Sequence, residues 1–272
     1  MLAQRVLGAV FVVMATALFV YLGGIPFFTF VTAISLLAVH EFSRMLHQGG
    51  FRPLTPMSMA LALVFFLDAQ FGLSIGRWAA AAATLVPLLW LVMRGKQPVE
   101  AVVGWALGPA AALYVALPLS HLVLLRNVQD GRDWAGLTAG LWWVVLLLLG
   151  TWASDTAAYF VGSAFGRHRF MSHISKHKTL EGLLGGLALC TLVVLAFGTT
   201  VLGLVWWHTV LLGMAIGGAA VLGDLAESMV KRATGVKDAG TIIPGHGGML
   251  DRVDSLILTV LVTYYYAVWL AA

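Results

Sequence analysis

Three aspartates flank a polar segment near the carboxyl end of the chain. Asp224 lies within GDLAESMVKR, and Asp251 and Asp254 lie within GGMLDRVDS. Asp251 and Asp254 are three positions apart, so a helix would place both side chains on one face. Magnesium takes oxygen ligands of this kind, commonly a few carboxylates together with substrate phosphates and water. The pattern therefore predicts a metal site with these three aspartates as its protein ligands.

The segment between these carboxylates, KRATGVKDAGTIIPGHGG, combines basic residues with glycines. Positive charge for phosphate groups comes from Lys231, Arg232 and Lys237. Gly247 and Gly248 permit tight turns whose N–H groups can face an anion. Beside a carboxylate cluster, this combination indicates a nucleotide or pyrophosphate site. For His246, contact with phosphate, proton transfer and a purely structural hydrogen bond all stay open.

The helix that precedes this segment carries further polar groups. Asp224, Glu227, Ser228 and Lys231 are spaced so that they line one helix face. Ionisable groups at the end of a membrane span cost free energy unless they reach the interface, pair, or face a polar cavity. A structural salt bridge from Glu227 to Lys231 explains that pair as well as a site would. Asp224 has no such partner in the sequence and more strongly indicates a site.

A second polar stretch begins near the end of the sixth apolar segment and runs into the start of the seventh. Asp155 and Tyr159 are four positions apart, and Lys178, Thr179 and Glu181 stand at the start of the seventh segment. The basic residues of this stretch could act only as topological anchors or as contacts to anionic lipid headgroups. The acidic side chains at the membrane edges are harder to explain in that way, so we expect them to belong to the same site.

The composition indicates that these groups lie in a membrane protein. Of the 272 residues, 60% are hydrophobic and only 10% are charged, whereas a soluble domain carries about 25% charged residues. A soluble fold of this size leaves roughly a quarter of its unfolded surface wet, and it could not bury so much apolar surface. The single cysteine, Cys190, excludes an intramolecular disulfide.

Apolar runs divide the chain into about nine segments, most of which approach the roughly 20 residues that span a bilayer as a helix. The segments are 6–22, 25–46, 56–72, 75–93, 98–121, 135–160, 181–199, 202–223 and 253–271. Pro109 and Pro118 predict a kink in the fifth segment. The expected fold is therefore an all-α polytopic integral membrane protein with about nine transmembrane helices and a polar active-site cavity that faces the cytoplasm.

The basic residues predict the orientation of the chain. With an odd number of spans, the N-terminus shares a side with the even-numbered loops. Of the 16 Lys and Arg residues, only Arg77, Arg126 and Arg132 fall on the opposite side. The positive-inside rule then places the N-terminus in the cytoplasm and the C-terminus outside. The basic excess reflects this topology, so no nucleic-acid partner is expected.

The two parts of the chain differ in their polar residues. Residues 1–134 have short connections and few polar groups, and Glu41 is interpreted as an interfacial residue at the cytoplasmic edge of its span. Residues 135–272 carry two long cytoplasmic loops, 166–180 and 232–250. We interpret the first part as transmembrane helices that supply packing and dimer contacts. The second part is interpreted as the catalytic transmembrane region.

The segment SMVKRATGVKDAGTIIPGHGGMLDRVDS resembles the hallmark segment of the phosphatidate cytidylyltransferases, the CDP-diacylglycerol synthases. The positions that match the family pattern without a gap are Ser228, Lys231, Arg232, Lys237, Asp238, His246, Gly247, Gly248, Asp251, Arg252 and Asp254. The upstream GDL with Asp224 also matches. Earlier elements of the family are similar at Asp155, Thr156, Tyr159, Ser175, Lys178, Thr179, Glu181 and Gly182. The motif resemblance covers roughly residues 155–255 and departs from the family pattern at Ser163, Lys176 and Leu180.

The resemblance implies that CTP and phosphatidic acid react to give CDP-diacylglycerol and pyrophosphate with Mg²⁺. One or two divalent ions are expected, and the resemblance is also compatible with a monovalent ion. The implied catalytic residues are Lys231, Arg232, Lys237, Asp238 and His246. The implied substrate-binding residues are Ser228, Gly247, Gly248, Arg252, Lys178, Thr179, Glu181, Asp155 and Tyr159. The resemblance also implies a homodimer in a bacterial-type inner membrane, with the active site on the cytoplasmic side.

Three alternatives compete with this hypothesis. A transporter would require inverted repeats and broken helices near the middle of the bilayer, and the sequence has neither. A cytidylyltransferase for another lipid phosphate, such as an isoprenoid one, is compatible with the sequence, because chain selectivity depends on helix packing. A non-catalytic scaffold is disfavoured because the hallmark positions are all retained.

Overall fold

The computed structural model describes residues 2–94, 98–175, 177–240 and 247–271. The regular elements of these residues are helical, and extended pairing among them is limited to two isolated bridges, Trp134 with Leu137 and Arg169 with Thr179. The helices are α1 (Leu2–Leu22), α2 (Gly24–Gln48), α3 (Thr55–Phe71), α4 (Gly76–Arg94), α5 (Pro98–Ala111), α6 (Leu117–Arg126), α7 (Ala139–Phe165), α8 (Leu180–Thr200), α9 (Trp206–Ala233) and α10 (Leu250–Ala271).

Seven helical stretches in the described residues are long and apolar enough to cross a membrane. Two shorter apolar helices, Val10–Leu22 and Thr55–Phe71, accompany them. The prediction of an all-helical polytopic membrane protein is therefore confirmed. The crossing of the membrane by all nine predicted segments stays a prediction, as does the side on which each loop lies.

The fifth predicted segment contains a π-helical turn, while the kink predicted from its prolines stays a prediction. α5 and α6 are joined by a π-helical turn, Ala112–Ala116, which lies between Pro109 and Pro118. A proline removes one backbone donor from the helical ladder, and π turns are one way in which a helix accommodates such a defect. The whole stretch Val99–Arg126 still forms one continuous span of 28 residues.

The chain forms two compact units. The first unit comprises Met1–Val123 and Val230–Val253, and the second comprises Leu124–Met229 and Asp254–Ala272. Both α9 and α10 therefore begin in one unit and end in the other. These units describe packing, whereas the predicted division at residue 134 concerns function, so that division stays a prediction.

Each unit has its own buried apolar core. In the first unit, α2, α3 and the π turn bury large side chains such as Met45 and Phe66. In the second unit, α7 and α9 bury Trp143, Leu212 and Ile216. The exposed apolar side chains are the ones that a lipid environment would cover, because a soluble protein rarely exposes large contiguous apolar patches.

The loop before α7 is held by its own acidic residues. Asp133 Oδ1 accepts a hydrogen bond from the N–H of Ala139 at 2.9 Å, which caps the start of α7. Asp130 Oδ2 accepts hydrogen bonds from Trp143 Nε1 and Arg132 Nη1, both at 2.8 Å. Burial raises the pKa of Asp130, but the hydrogen bonds from Trp143 and Arg132 outweigh burial and lower the pKa below its ordinary value.

Candidate active site

Three carboxylates of the second unit converge on one point. Asp224 and Glu227 lie on α9, and Asp254 lies on the first turns of α10. One carboxylate oxygen from each lies within 4.8 Å of the others. Glu227 is fully buried, and the two aspartates are half-buried. Like charges at this spacing repel one another, so the cluster favours a bound cation or a shared proton.

A glycine allows the two helices to bring these carboxylates together. Gly223 immediately precedes Asp224, and a Cβ atom at this glycine would overlap the carbonyl oxygen of Asp254. The absence of a side chain therefore lets the backbones of α9 and α10 touch at the position where the acids must meet. In the GDL element, Gly223 therefore allows the close helix packing, and the adjacent Asp224 contributes a carboxylate to the cluster.

Asp224 also contacts two donors from its own unit. Lys178 Nζ lies 2.9 Å from Asp224 Oδ2 and donates to the carbonyl oxygen of Val221 at 3.3 Å. Ser228 Oγ, one helical turn further along α9, donates to Asp224 Oδ1 at 3.2 Å. The side chain of Lys178 is 18% exposed, so its ammonium group brings a positive charge close to the cluster with little screening by water.

Asp155 on α7 belongs to the same neighbourhood. Ser255 Oγ lies 3.4 Å from Asp155 Oδ1 and 3.4 Å from Asp254 Oδ1, and the N–H of Ser255 donates to Asp254 Oδ1 at 2.7 Å. Three helices and the loop before α8 therefore deliver polar groups to one small region. The predicted residues that the structure brings together there are Asp155, Lys178, Asp224, Ser228 and Asp254.

The donor set of the cluster fits a hard divalent cation. Carboxylate oxygens from three residues are the ligands that Mg²⁺ prefers, and substrate phosphates commonly complete its shell. The buried position of Glu227 strengthens this fit, because an acidic side chain is almost never fully buried unless a charge or a donor compensates it. The chemistry of the residues present is therefore compatible with the predicted metal.

Asp251 occupies a different environment, in the first unit. Its Oδ1 atom lies 2.9 Å from Lys231 Nζ. Its Oδ2 atom accepts hydrogen bonds from the N–H groups of Gly248 at 2.8 Å and Ala239 at 3.1 Å. The side chains of Asp251 and Lys231 are each 13% exposed. This carboxylate thus joins the two ends of the glycine-rich segment to α10 and holds the ammonium group of Lys231.

Thr179 and Glu181 make local contacts at the start of α8. Thr179 is the N-cap, and its hydroxyl accepts a hydrogen bond from the N–H of Gly182 at 3.1 Å. Glu181 accepts from the N–H groups of Arg167 and His168 and lies 2.6 Å from His168 Nδ1. These contacts order the loop that carries Lys178. A direct role of either residue in substrate binding stays a prediction.

The remaining predicted residues are mostly exposed. They are Tyr159, Arg232, Lys237, Asp238 and Arg252. Gly247 has a φ of 82°, a conformation that L side chains rarely adopt. His246 lies outside the described residues, so its predicted role stays open.

Glu227 is the member of the cluster that sequence reasoning did not assign to the metal. Its spacing from Asp224 was visible in the sequence, but a salt bridge with Lys231 explained it equally well. In the structure one carboxylate oxygen of Glu227 lies within 4.8 Å of one oxygen each of Asp224 and Asp254. Its full burial close to two aspartates is what identifies Glu227 as a member of the cluster. The sequence alone does not reveal that burial.

Comparisons with known proteins cover almost the whole chain. A family model described as the cytidylyltransferase family matches residues 3–270. The chain is 34% identical over 291 residues to the phosphatidate cytidylyltransferase of Synechocystis sp., covering 98% of this chain and 97% of that protein. It is 32% identical over 270 residues to the phosphatidate cytidylyltransferase of Brucella suis, covering 97% and 93%. It is also 34% identical over 269 residues to the chloroplastic phosphatidate cytidylyltransferase 5 of Arabidopsis thaliana, covering 90% of this chain and 66% of that protein.

Proposed function

The chain belongs to the cytidylyltransferase family, and from this membership we propose that it transfers the cytidylyl group of CTP to phosphatidic acid. The observation that carries the proposal is the near-complete match to relatives named phosphatidate cytidylyltransferase in bacteria and a plant. The family resemblance that the hallmark motif indicated is thereby confirmed. The protein is an integral membrane enzyme of the nucleotidyltransferase class.

The reaction makes one phosphorus–oxygen bond and breaks another. A phosphate oxygen of phosphatidic acid attacks the α-phosphorus of CTP, and the bond from that phosphorus to the bridging oxygen of the β-phosphate breaks. The products are CDP-diacylglycerol and pyrophosphate, which takes the released electron pair. No protein nucleophile is needed. Because both substrates are anions, the protein must mainly neutralise charge and hold the two reactants in line.

We assign the metal site of this reaction to Asp224, Glu227 and Asp254. When bound there, Mg²⁺ would supply positive charge to the phosphate oxygens of the substrates. Lys178 holds Asp224 in place and adds a positive charge beside it. Asp251 is assigned to orienting Lys231, because its oxygens accept from that ammonium group and from backbone N–H groups. A direct contact of Asp251 with the metal stays a prediction.

The basic residues between α9 and α10 are proposed to bind the phosphates of CTP. Lys231 is oriented by its ion pair with Asp251, whereas the side chains of Arg232 and Lys237 are exposed at the surface. The lipid substrate explains the membrane location, since its acyl chains can stay in the bilayer while the headgroup reaches the membrane edge. We propose that this edge is cytoplasmic and that the protein is a homodimer.

The decisive experiment measures product formation by the purified protein in detergent, with phosphatidic acid, labelled CTP and Mg²⁺. We expect a labelled CDP-lipid that falls by at least about 100-fold in Asp224→Asn and Asp254→Asn, a loss of about 2.7 kcal/mol in transition-state stabilisation. Asp133→Asn is the matched control, because its amide oxygen can still accept from the N–H of Ala139. Full activity in both cluster variants would contradict the site assignment.

The choice of lipid and nucleotide requires a second set of reactions. Phosphatidic acid is compared with an isoprenyl phosphate, and CTP with dCTP and ATP, at equal concentrations. We expect phosphatidic acid with CTP to give the highest kcat/KM. A preference for the isoprenyl phosphate would overturn the proposed lipid substrate while leaving the cytidylyl transfer intact.

A further inference from the structure

The three residues that precede α10 offer no side-chain acceptor for its first N–H groups. The first N–H groups of a helix have no partner within the helix, and a side chain just before the helix commonly accepts from them. Gly247, Gly248 and Met249 precede Leu250, and none of them carries a side-chain oxygen. Leu250 is itself fully buried, so water cannot take the place of the missing acceptor without cost.

The acceptor comes from a helix 209 positions earlier in the chain. Glu41 of α2 accepts a hydrogen bond from the N–H of Leu250 through its Oε2 atom at 2.8 Å. The whole residue is only 2% exposed. Both residues belong to the first unit. An interfacial residue would direct its carboxylate toward water, so the interpretation made from the sequence does not describe what Glu41 contacts.

Two glycines make room for this carboxylate. A Cβ atom at Gly240 would overlap Glu41 Oε1, and its three nearest neighbours would all be atoms of the Glu41 side chain. A Cβ atom at Gly248 would lie 2.6 Å from Glu41 Oε2. Glu41 therefore fits between the two ends of the glycine-rich segment as well as against the first residue of α10. The close approach of the Glu41 side chain explains why glycine stands at these two positions. The φ angles of Gly240 and Gly248 do not by themselves require glycine.

The residue next to Leu250 is Asp251, which holds Lys231. Through its two oxygens, Asp251 contacts Lys231 Nζ at 2.9 Å and the N–H of Gly248 at 2.8 Å. Fixing the N–H of Leu250 therefore also fixes the backbone from which the Asp251 side chain extends. A carboxylate on α2 thus contacts the residue next to Asp251, one partner of the ion pair with Lys231.

We propose that Glu41 is a positioning residue that anchors the start of α10 and so holds the Asp251–Lys231 ion pair in place for CTP. The kinetic part of this inference rests on the proposed function. The anchoring part rests only on the contacts of Glu41 with Leu250, Gly240 and Gly248. The two parts therefore receive separate measurements.

The kinetic measurement compares Glu41→Ala and Glu41→Gln with the unaltered protein. In Glu41→Ala we expect the KM for CTP to rise about ten-fold, the factor that loss of one charge-assisted contact commonly costs, while the KM for phosphatidic acid changes less than about two-fold. Glu41→Gln should recover most of the affinity for CTP, because its amide oxygen can accept from the N–H of Leu250. A purely structural role would instead lower the active fraction and leave both KM values unchanged.

A double-mutant cycle tests whether Glu41 and Gly240 act as one unit. Gly240→Ala should displace the carboxylate of Glu41 and reproduce the ten-fold rise in the KM for CTP. In the Glu41→Ala background the clash is absent, so adding Gly240→Ala should change the KM by less than about two-fold. Independent multiplication of the two single effects would contradict the proposed contact.

Hydrogen exchange of residues 247–253 tests the anchoring without reference to catalysis. We expect exchange to be about ten-fold faster in Glu41→Ala than in the unaltered protein, with protection retained in Glu41→Gln. Ser43→Ala is the matched control, because it removes a buried side-chain oxygen from the same helix for which the described residues provide no partner. Unchanged exchange in Glu41→Ala would overturn the inference. Absence of activity in the unaltered protein, with faster exchange in Glu41→Ala, would instead overturn the proposed function and support the anchoring.

Discussion

The two groups of carboxylates that the structure assembles differ in what surrounds them. In the first unit, Glu41 and Asp251 accept hydrogen bonds from backbone N–H groups, and Asp251 also pairs with Lys231. In the second unit, Asp224, Glu227 and Asp254 lie close to one another, so each has two like charges nearby, although Asp224 also pairs with Lys178 and Asp254 also accepts from the N–H of Ser255. We call the first group the donor-rich carboxylates and the second group the clustered carboxylates.

The difference separates carboxylates that organise the chain from carboxylates suited to bind an ion. A carboxylate that accepts from backbone N–H groups stabilises the fold, and its removal leaves buried donors without partners. A carboxylate that faces two others costs stability in the absence of a cation. Carboxylates of the two groups are therefore expected to respond oppositely to substitution.

The largest effect should come from the clustered carboxylates. Glu227→Gln keeps the shape of the side chain but removes its charge, so we expect kcat/KM to fall about 100-fold, equivalent to about 2.7 kcal/mol. The activity should recover partly as Mg²⁺ is raised, because the metal site is weakened and its other ligands remain. Initial rates over a Mg²⁺ titration measure the fall in kcat/KM and its partial recovery. A rate equal to that of the unaltered protein at every Mg²⁺ concentration would remove Glu227 from the site.

Substitution of a donor-rich carboxylate should lower the stability of the protein. Asp251→Ala leaves the ammonium group of Lys231 and the N–H of Gly248 without their acceptor, so we expect a loss of about 2–3 kcal/mol in the free energy of unfolding. Thermal unfolding in detergent without Mg²⁺ measures this change. Asp251→Asn is the conservative control and should lose less, since its amide oxygen can still accept from backbone N–H.

The same unfolding experiment on the clustered carboxylates sharpens the comparison. Without Mg²⁺, Asp254→Asn should unfold at a temperature equal to or above that of the unaltered protein, because the substitution relieves repulsion among three acids. Addition of Mg²⁺ should raise the unfolding temperature of the unaltered protein and have little effect on the variant. Strong destabilisation of Asp254→Asn without Mg²⁺ would place Asp254 among the donor-rich carboxylates.

The smallest effect is expected at Asp130 in the loop before α7, a carboxylate outside both groups that, like the donor-rich ones, accepts hydrogen bonds from its neighbours. The hydrogen bonds from Trp143 and Arg132 lower its pKa below the ordinary value. Its contribution to stability is therefore complete above the pKa of the unfolded chain, about 4, and disappears as the pH falls through the lower pKa of the folded state. Asp130→Asn should cost about 1 kcal/mol at neutral pH and less in acid. Thermal unfolding from pH 7 to pH 3 measures the difference, and equal losses at both ends would contradict it.

Much of the fold followed from hydrophobic patterning. The predicted segments 135–160 and 181–199 correspond to α7 (Ala139–Phe165) and α8 (Leu180–Thr200), because a bilayer imposes one length and one periodicity on its helices. The hallmark motif likewise identified the family, since it consists of side chains at constant spacing. The prediction was less complete where a residue's role depends on what approaches it from elsewhere in the chain.

Glu41, Glu227 and Asp251 illustrate that limit. The sequence by itself determined that each is acidic, lies near a span end and must be compensated. Only the tertiary structure decided that Asp251 receives donors from Lys231 and Gly248, that Glu227 meets Asp224 and Asp254, and that Glu41 caps a helix 209 positions away. The reason is physical: the energy of a buried carboxylate depends on the charges and donors within a few ångströms, and long-range packing brings these together.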